Sequence, residues 1–119
     1  MKIIDAGHKY VLESLDGDLQ QVLTFVKRDG NKFPFNRGSY TGTNCQEVLR
    51  ALIDRAEYLY KQEQSAETEL IIANLKNVLF LFEVRAARKH NRLLDLVSAQ
   101  ELINGQPCKK CGHIGCNQH

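Results

Sequence analysis

The chain has 119 residues, 43% of them hydrophobic and none of them tryptophan, which is the amount of sequence found in one ordinary domain. Its 16 basic and 14 acidic residues leave a net charge of only +2, which argues against a protein that coats DNA or RNA. No apolar run reaches the roughly 18 residues of a membrane span and the N-terminus has no signal-peptide core, so we expect a cytoplasmic protein with no membrane partner.

The first 42 residues predict a small antiparallel β-sheet. Residues 8–15 and 20–28 show the alternation of strands, and the glycine-containing turn between them predicts a hairpin. A third extended segment is expected at roughly 32–40, where Pro34 favours an edge strand or a loop.

From residue 43 the apolar spacing becomes that of helices. We predict helix 1 over 43–64 and helix 2 over 65–91, packed antiparallel because the link between them is short. Helix 2 is apolar around much of its circumference, so one side should pack within the chain and the other should meet a second subunit.

Further along, Ser98 and Glu101 have the spacing of a capping box, which predicts a short helix over 98–104. A tail rich in cysteine and histidine follows at 107–119. The predicted fold is therefore α+β: a single domain, 1–119, with a small N-terminal antiparallel sheet packed on two long antiparallel helices, then the short helix and the tail.

The first candidate site is the turn before helix 1. Thr43 with Gln46, or Asn44 with Glu47, has capping-box spacing, so this helix start offers free N–H groups and partial positive charge. Gly42 permits close backbone approach, as a phosphate site requires. Simple helix capping is the structural alternative.

A second candidate lies on the late half of helix 2. Phe82, Arg85, Arg88 and Arg92 follow one another at helical spacing and share a face, so they could stack a base and clamp phosphates. The alternative is a solvated basic helix end that complements the helix dipole. Lys27 and Arg28, at the end of the second strand, could face the same site.

The tail offers a third candidate. Four soft ligands, enough for one zinc ion, occur close together as Cys108, Cys111, His113 and Cys116. Their spacing matches no standard zinc finger well, and the alternative is a set of reduced thiols that pack on the body of the protein.

Catalytic motifs are not evident. Cys45 begins a helix, where a thiol can be acidified, but an ordinary first-turn residue is the simpler interpretation.

Four segments together resemble the phage Thoeris anti-defence protein family, first type. They are DAGHKYVLESLDG (5–17), LTFVKR (23–28), YTGTNCQEVLRALIDRAEYL (40–59) and LFEVRAARKH (81–90), in the family's order and across most of the chain. No single motif is diagnostic, and the combination carries the resemblance.

The resemblance implies a non-enzymatic sponge encoded by a phage or prophage. Family members bind cyclic ADP-ribose isomers, such as glycocyclic ADP-ribose, that TIR-domain enzymes make during infection, and so keep the downstream effector inactive. They need no cofactor and assemble as homo-oligomers, with dimers as the unit and hexamers as the larger form. Some also bind cyclic di- or trinucleotides at a separate site.

By the same resemblance, the signal-binding site combines the strand-end arginine, the threonine loop and late helix 2, with contributions from two subunits. Its members here would be Arg28, Thr41, Thr43, Phe82, Arg85, Arg88 and Asn91, and Lys109 is a candidate for the family's basic C-terminal residue. Arg55 is the candidate for the second nucleotide site.

Two other function classes remain open at this stage. A small zinc-binding nucleic-acid or protein adaptor would contain bound zinc and show salt-sensitive binding to nucleic acid. An enzyme that degrades the same signal would release a chemically altered ligand.

Overall fold

A computed structural model of the chain describes residues 1–29, 37–89 and 103. The chain is an α+β protein in which the strands precede the two long helices, as the sequence predicts. It divides into two compact units, an N-terminal unit of Met1–Asn44 and a C-terminal unit of Cys45–His119.

A three-stranded antiparallel sheet in the order β1-β2-β3 forms most of the N-terminal unit. Its strands are β1 Lys2–Asp5, β2 Lys9–Leu12 and β3 Gln21–Thr24. Tyr10 of β2 stands opposite Ile3 on one side and Leu23 on the other, and its ring meets that of Phe25 edge to face. The predicted hairpin is confirmed as β2 and β3, whereas β1 was not predicted.

A second, two-stranded antiparallel sheet pairs β4 Lys27–Asp29 with β5 Arg37–Tyr40. The strand predicted over 20–28 is therefore interrupted. Phe25 donates its N–H to the carbonyl of His8 and forms an isolated parallel bridge with Thr43, and after this point the chain pairs with β5 instead of β2. The described part of the predicted segment 32–40 is β5.

The C-terminal unit is built on two antiparallel helices, α1 Cys45–Gln62 and α2 Ala66–Lys89. Three cross-helix contacts fix the direction, since early α1 meets late α2 and late α1 meets early α2. They are Arg50–Glu83 at 3.2 Å, Glu57–Lys76 at 3.5 Å and Tyr60–Glu69 at 2.9 Å. Both predicted helices are confirmed, with starts one or two residues later than expected.

The core between the helices centres on Ile53 and Leu79, which are almost completely buried. Leu49, Leu75 and Ile103 pack against this pair. Ser65, the first residue of the predicted helix 2, caps α2, because its Oγ accepts the N–H of Thr68 at 3.2 Å and its carbonyl accepts that of Glu69.

The predicted short helix 98–104 falls outside the described residues except for Ile103, which is helical. The whole of the predicted tail 107–119 also lies outside them. Among the helices that the structure describes, none is both long and apolar enough to cross a membrane.

Candidate functional site

The turn at 41–44 is fixed to the end of β3 by its own backbone. The N–H of Thr43 donates to the carbonyl of Thr24, and the carbonyl of Thr43 accepts the N–H of Val26, both at 2.9 Å. Both backbone polar groups of Thr43 thus bond to the sheet, so the hydroxyl is the one donor that this residue can offer a ligand. Thr41, two residues earlier, is exposed.

Gly42 is required here by the protein's own packing. A Cβ at this position would collide with the carbonyl oxygen of Thr24, and would lie only 2.8 Å from the carbonyl carbon of Phe25. A close backbone approach does occur at Gly42, and the groups approached are backbone atoms of Thr24 and Phe25. The absence of a side chain at Gly42 therefore lets the turn at 41–44 pack directly against the end of β3.

Helix α1 begins at Cys45, which places Asn44 at the N-cap position. Glu47 then lies at N3, the other position of a capping box. The alternative box would need the N–H of Thr43 to donate to the side chain of Gln46, but this N–H donates to the carbonyl of Thr24 instead. The side chain of Glu47 accepts a hydrogen bond from Nη1 of Arg50 at 3.1 Å. The first turn of α1 therefore already holds a carboxylate in the region where the helix dipole favours an anion.

Strand pairing brings Arg28 to the same edge of the N-terminal unit as the turn at 41–44. Lys27 stands opposite Tyr40, and Arg28 opposite Gly38, so β4 runs beside the strand that leads directly into Thr41. Only one residue separates Val26, which binds Thr43, from Arg28. Three of the predicted ligand-binding residues, Arg28, Thr41 and Thr43, thus lie within this one small region.

Lys27 is committed to a different role from the one the sequence suggested. Its Nζ lies 3.2 Å from Oδ2 of Asp5, and both side chains are about two-thirds buried. The ion pair ties β4 to the end of β1. We therefore assign Lys27 to the stability of the unit and leave it out of the ligand site.

The last turns of α2 carry the other predicted group. Phe82 is half-buried, and Arg85 and Arg88 are exposed on the same helix, one and two turns later. Glu83 and Ala87 on the adjoining face are buried. The arrangement offers an apolar ring at the margin of the helix pair with two solvated guanidinium groups beyond it, as stacking and phosphate contact require.

Comparison with known proteins adds no relative. No family model, no curated protein and no solved structure matches this chain.

The remaining predicted residues divide into two groups. Arg55 is described, and its guanidinium lies 5.7 Å from the ring centre of Tyr58 on the exposed side of α1, a cation–π contact. Outside the described residues lie Asn91, Lys109 and the candidate zinc ligands Cys108, Cys111, His113 and Cys116. Across 1–29, 37–89 and 103, no group of three or more Cys, His, Asp or Glu could hold a metal ion.

Sequence reasoning missed the buried ion pair of Arg50 and Glu83. Each residue occupies a core position of its helix, Arg50 three residues before Ile53 and Glu83 four residues after Leu79. The available signal was two opposite charges inside the apolar stripes of consecutive helices. Such charges are buried together when the helices pack antiparallel.

Proposed function

We propose that this protein is a non-catalytic sponge that binds a cyclic ADP-ribose isomer, such as glycocyclic ADP-ribose, and holds it intact. In this proposal the protein acts in the cytoplasm of a bacterial host, is encoded by a phage or prophage and blocks Thoeris defence. It needs no cofactor and works as a homo-oligomer of dimer units. The resemblance of four segments to the Thoeris anti-defence family is the first support.

The structural observation that carries the proposal is the convergence of β4 with the turn at 41–44. A cyclic ADP-ribose isomer has a pyrophosphate, two riboses and a purine. Arg28 on β4 supplies a guanidinium suited to phosphate, and the exposed Thr41 supplies a hydroxyl suited to phosphate or ribose. The Gly42 packing and the two Thr43 hydrogen bonds hold the turn in place before any ligand arrives.

The end of α2 supplies the remaining chemistry. Phe82 provides a ring on which a purine can stack, and Arg85 and Arg88 provide further cationic donors. Asn91 and Lys109 complete the proposed set. Because a sponge acts by mass action, it needs tight binding and gains nothing from groups that stabilise a transition state.

The decisive experiment is recovery of the captured ligand. The protein is incubated with glycocyclic ADP-ribose, separated from free ligand on a desalting column and then denatured by heat. Chromatography with mass detection should return the unmodified ligand, and protein denatured before the incubation should return none. Cleaved product would identify an enzyme, and absence of ligand from the folded sample would overturn the proposal.

A further inference from the structure

Gln46 carries a buried amide that the described fold does not use. It lies in the first turn of α1 and is only 7% exposed. It shares a face with Arg50 and Ile53, which follow at spacings of four and three and meet α2. Among the residues that the structure describes, none forms a hydrogen bond with its side-chain amide. Because buried polar groups are normally paired, this amide is suited to a partner from outside the described chain.

Helix geometry directs this amide toward the N-terminal end of α1. Side chains on a helix lean toward its N-terminus, so a residue in the first turn reaches toward the start of the helix. The capping box leaves the amide unused, because the N–H of Thr43 donates to the carbonyl of Thr24. A ligand that approaches this end of α1 can therefore pair with the amide of Gln46.

The amide lies at the same end of the helix pair as Phe82. Arg50, one turn after Gln46, is 3.2 Å from Glu83, so the first turns of α1 lie beside the last turns of α2. Phe82 directly precedes Glu83 and is half-buried. A base that stacks on Phe82 is thus at the end of the helices that carries Gln46. The other glutamine of α1, Gln62, lies at the opposite end.

We propose that Gln46 determines which base the ligand carries, and that it selects adenine. This inference rests on the proposed function. The described members of the proposed site supply guanidinium groups, hydroxyls and a ring, and none of them carries a donor atom and an acceptor atom side by side. A glutamine amide carries both. Its Oε1 accepts from the N6 amino group of adenine while its Nε2 donates to N7, which is how glutamine reads adenine in nucleic acids.

The first test compares two ligands that differ only at position 6 of the base. They are glycocyclic ADP-ribose and its hypoxanthine analogue, in which an oxygen acceptor replaces the amino donor. The wild type should bind the adenine ligand more tightly by about five- to 150-fold in Kd, measured by calorimetric titration. Equal Kd values would overturn this inference and leave the proposed function intact. If neither ligand binds, both are wrong.

Gln46→Met separates contact with the ligand from a purely structural role. Methionine has a similar length and no amide, so Tm should stay the same or rise when it replaces the buried amide. The preference for adenine should nevertheless fall to within about twofold. A structural role would instead lower Tm, and either a lower Tm or a retained preference would contradict the inference.

Gln46→Glu gives a second variant that the helix dipole favours in the first turn of α1. It keeps the acceptor for N6 but loses the donor to N7. Binding of the adenine ligand should therefore weaken by about fivefold or more, while the preference over hypoxanthine remains. Unchanged binding of the adenine ligand would contradict the contact with N7.

Two controls identify the residue that reads the base. Gln62→Met makes the same change at an exposed position of α1, where the side chain bonds to Tyr58, and should leave both Kd values unchanged. Asn91→Ala removes the other amide of the proposed set and should leave the preference for adenine in place. If Asn91→Ala abolishes the preference and the Gln46 variants keep it, the assignment of Gln46 is wrong.

Discussion

Arg50 and Glu83 form a buried ion pair that joins the two helices, with 3.2 Å between Nη2 of the guanidinium and Oε1 of the carboxylate. Arg50 is 8% exposed and Glu83 is fully buried. The second terminal nitrogen of Arg50 reaches Glu47 at 3.1 Å, so the guanidinium serves two carboxylates. Because charges of this kind are costly to bury singly, the pair fixes which turn of α1 lies beside which turn of α2.

This geometry predicts unequal costs for removing the two partners. Arg50→Met should lower the free energy of unfolding by about 3–5 kcal/mol, because it removes the cation beside a fully buried carboxylate. Glu83→Leu should cost less, because Arg50 keeps Glu47. The double variant should be more stable than Arg50→Met alone, as measured by urea denaturation followed by circular dichroism.

The matched control is Lys76→Met, which removes the pair that Lys76 makes with Glu57 across the same two helices. Both side chains of that pair are about two-fifths exposed, so its loss should cost no more than about 1 kcal/mol. If Arg50→Met proves as mild as Lys76→Met, the two helices do not hold Arg50 and Glu83 together in solution.

Local patterns account for the elements that the sequence predicts well. The alternation around Tyr10 and Leu23 predicts the β2–β3 hairpin, and the apolar stripes through Ile53 and Leu79 predict both helices. By contrast, β1 was not predicted, although Gly7, with a φ of +82°, lies in the turn that joins it to β2. Its identity depends on pairing with β2, which is a property of the folded chain and not of its local sequence.

The candidate site was less predictable because its parts are set by contacts between distant residues. Nothing near Phe25 reveals that it will bridge to Thr43, 18 positions away, yet this bridge lies where the predicted strand is interrupted and two residues before α1 begins at Cys45. Likewise, the sequence shows at position 42 only a glycine, which is a conformationally permissive residue. That a side chain there would collide with the backbone depends on the position of Thr24 in the folded chain. The sequence predicts which residues form the candidate site, and that stays a prediction, but it does not reveal the backbone hydrogen bonds of Thr43 or the close packing of Gly42.

Gly42→Ala should damage the N-terminal unit. The new Cβ would meet backbone atoms of Thr24 and Phe25, which cannot rotate away as a side chain can. We expect a loss of about 1–3 kcal/mol, the usual range for overpacking. We also expect weaker capture of glycocyclic ADP-ribose, because the turn that carries Thr41 would be displaced. Thermal unfolding and ligand titration measure the two effects.

Gly17→Asn is the control for that substitution. Gly17 has a φ of +79° and open space around it, and asparagine tolerates this conformation better than other side chains. Its effect on stability should be smaller than that of Gly42→Ala, with capture unchanged. An equal effect of the two substitutions would show that the turn at 41–44 is not pressed against β3.

The pKa of Tyr60 should lie above its ordinary value of 10.0. The main cause is the hydrogen bond that its hydroxyl donates to Oε1 of Glu69 at 2.9 Å, with smaller contributions from desolvation and from the negative charge of Glu69. Since the folded protein favours the neutral phenol, this contribution to stability is complete below the unfolded pKa and is lost as the pH rises through the folded pKa. Glu69→Gln should move the pKa of Tyr60 back toward 10.0.

An absorbance titration of tyrosinate formation can measure this shift. The chain has four tyrosines, so the signal of Tyr60 is obtained as the difference between the wild type and Tyr60→Phe. If Glu69→Gln left the titration curve of Tyr60 unchanged, that result would contradict the hydrogen bond between Tyr60 at the end of α1 and Glu69 at the start of α2.

Two phenylalanines on α2 give the sharpest comparison for the proposed ligand site. Phe82→Ala should weaken capture of glycocyclic ADP-ribose by roughly 1–3 kcal/mol, the usual value of a base–aromatic stack, which is at least about fivefold in Kd. Phe80→Ala changes the same residue type two positions away, on another side of the helix, and should leave Kd unchanged. Arg28→Ala, on β4, should weaken capture without altering the circular dichroism spectrum. Calorimetric titration measures all three, and loss of folding in Phe82→Ala would instead assign this half-buried ring to the packing of the helix pair.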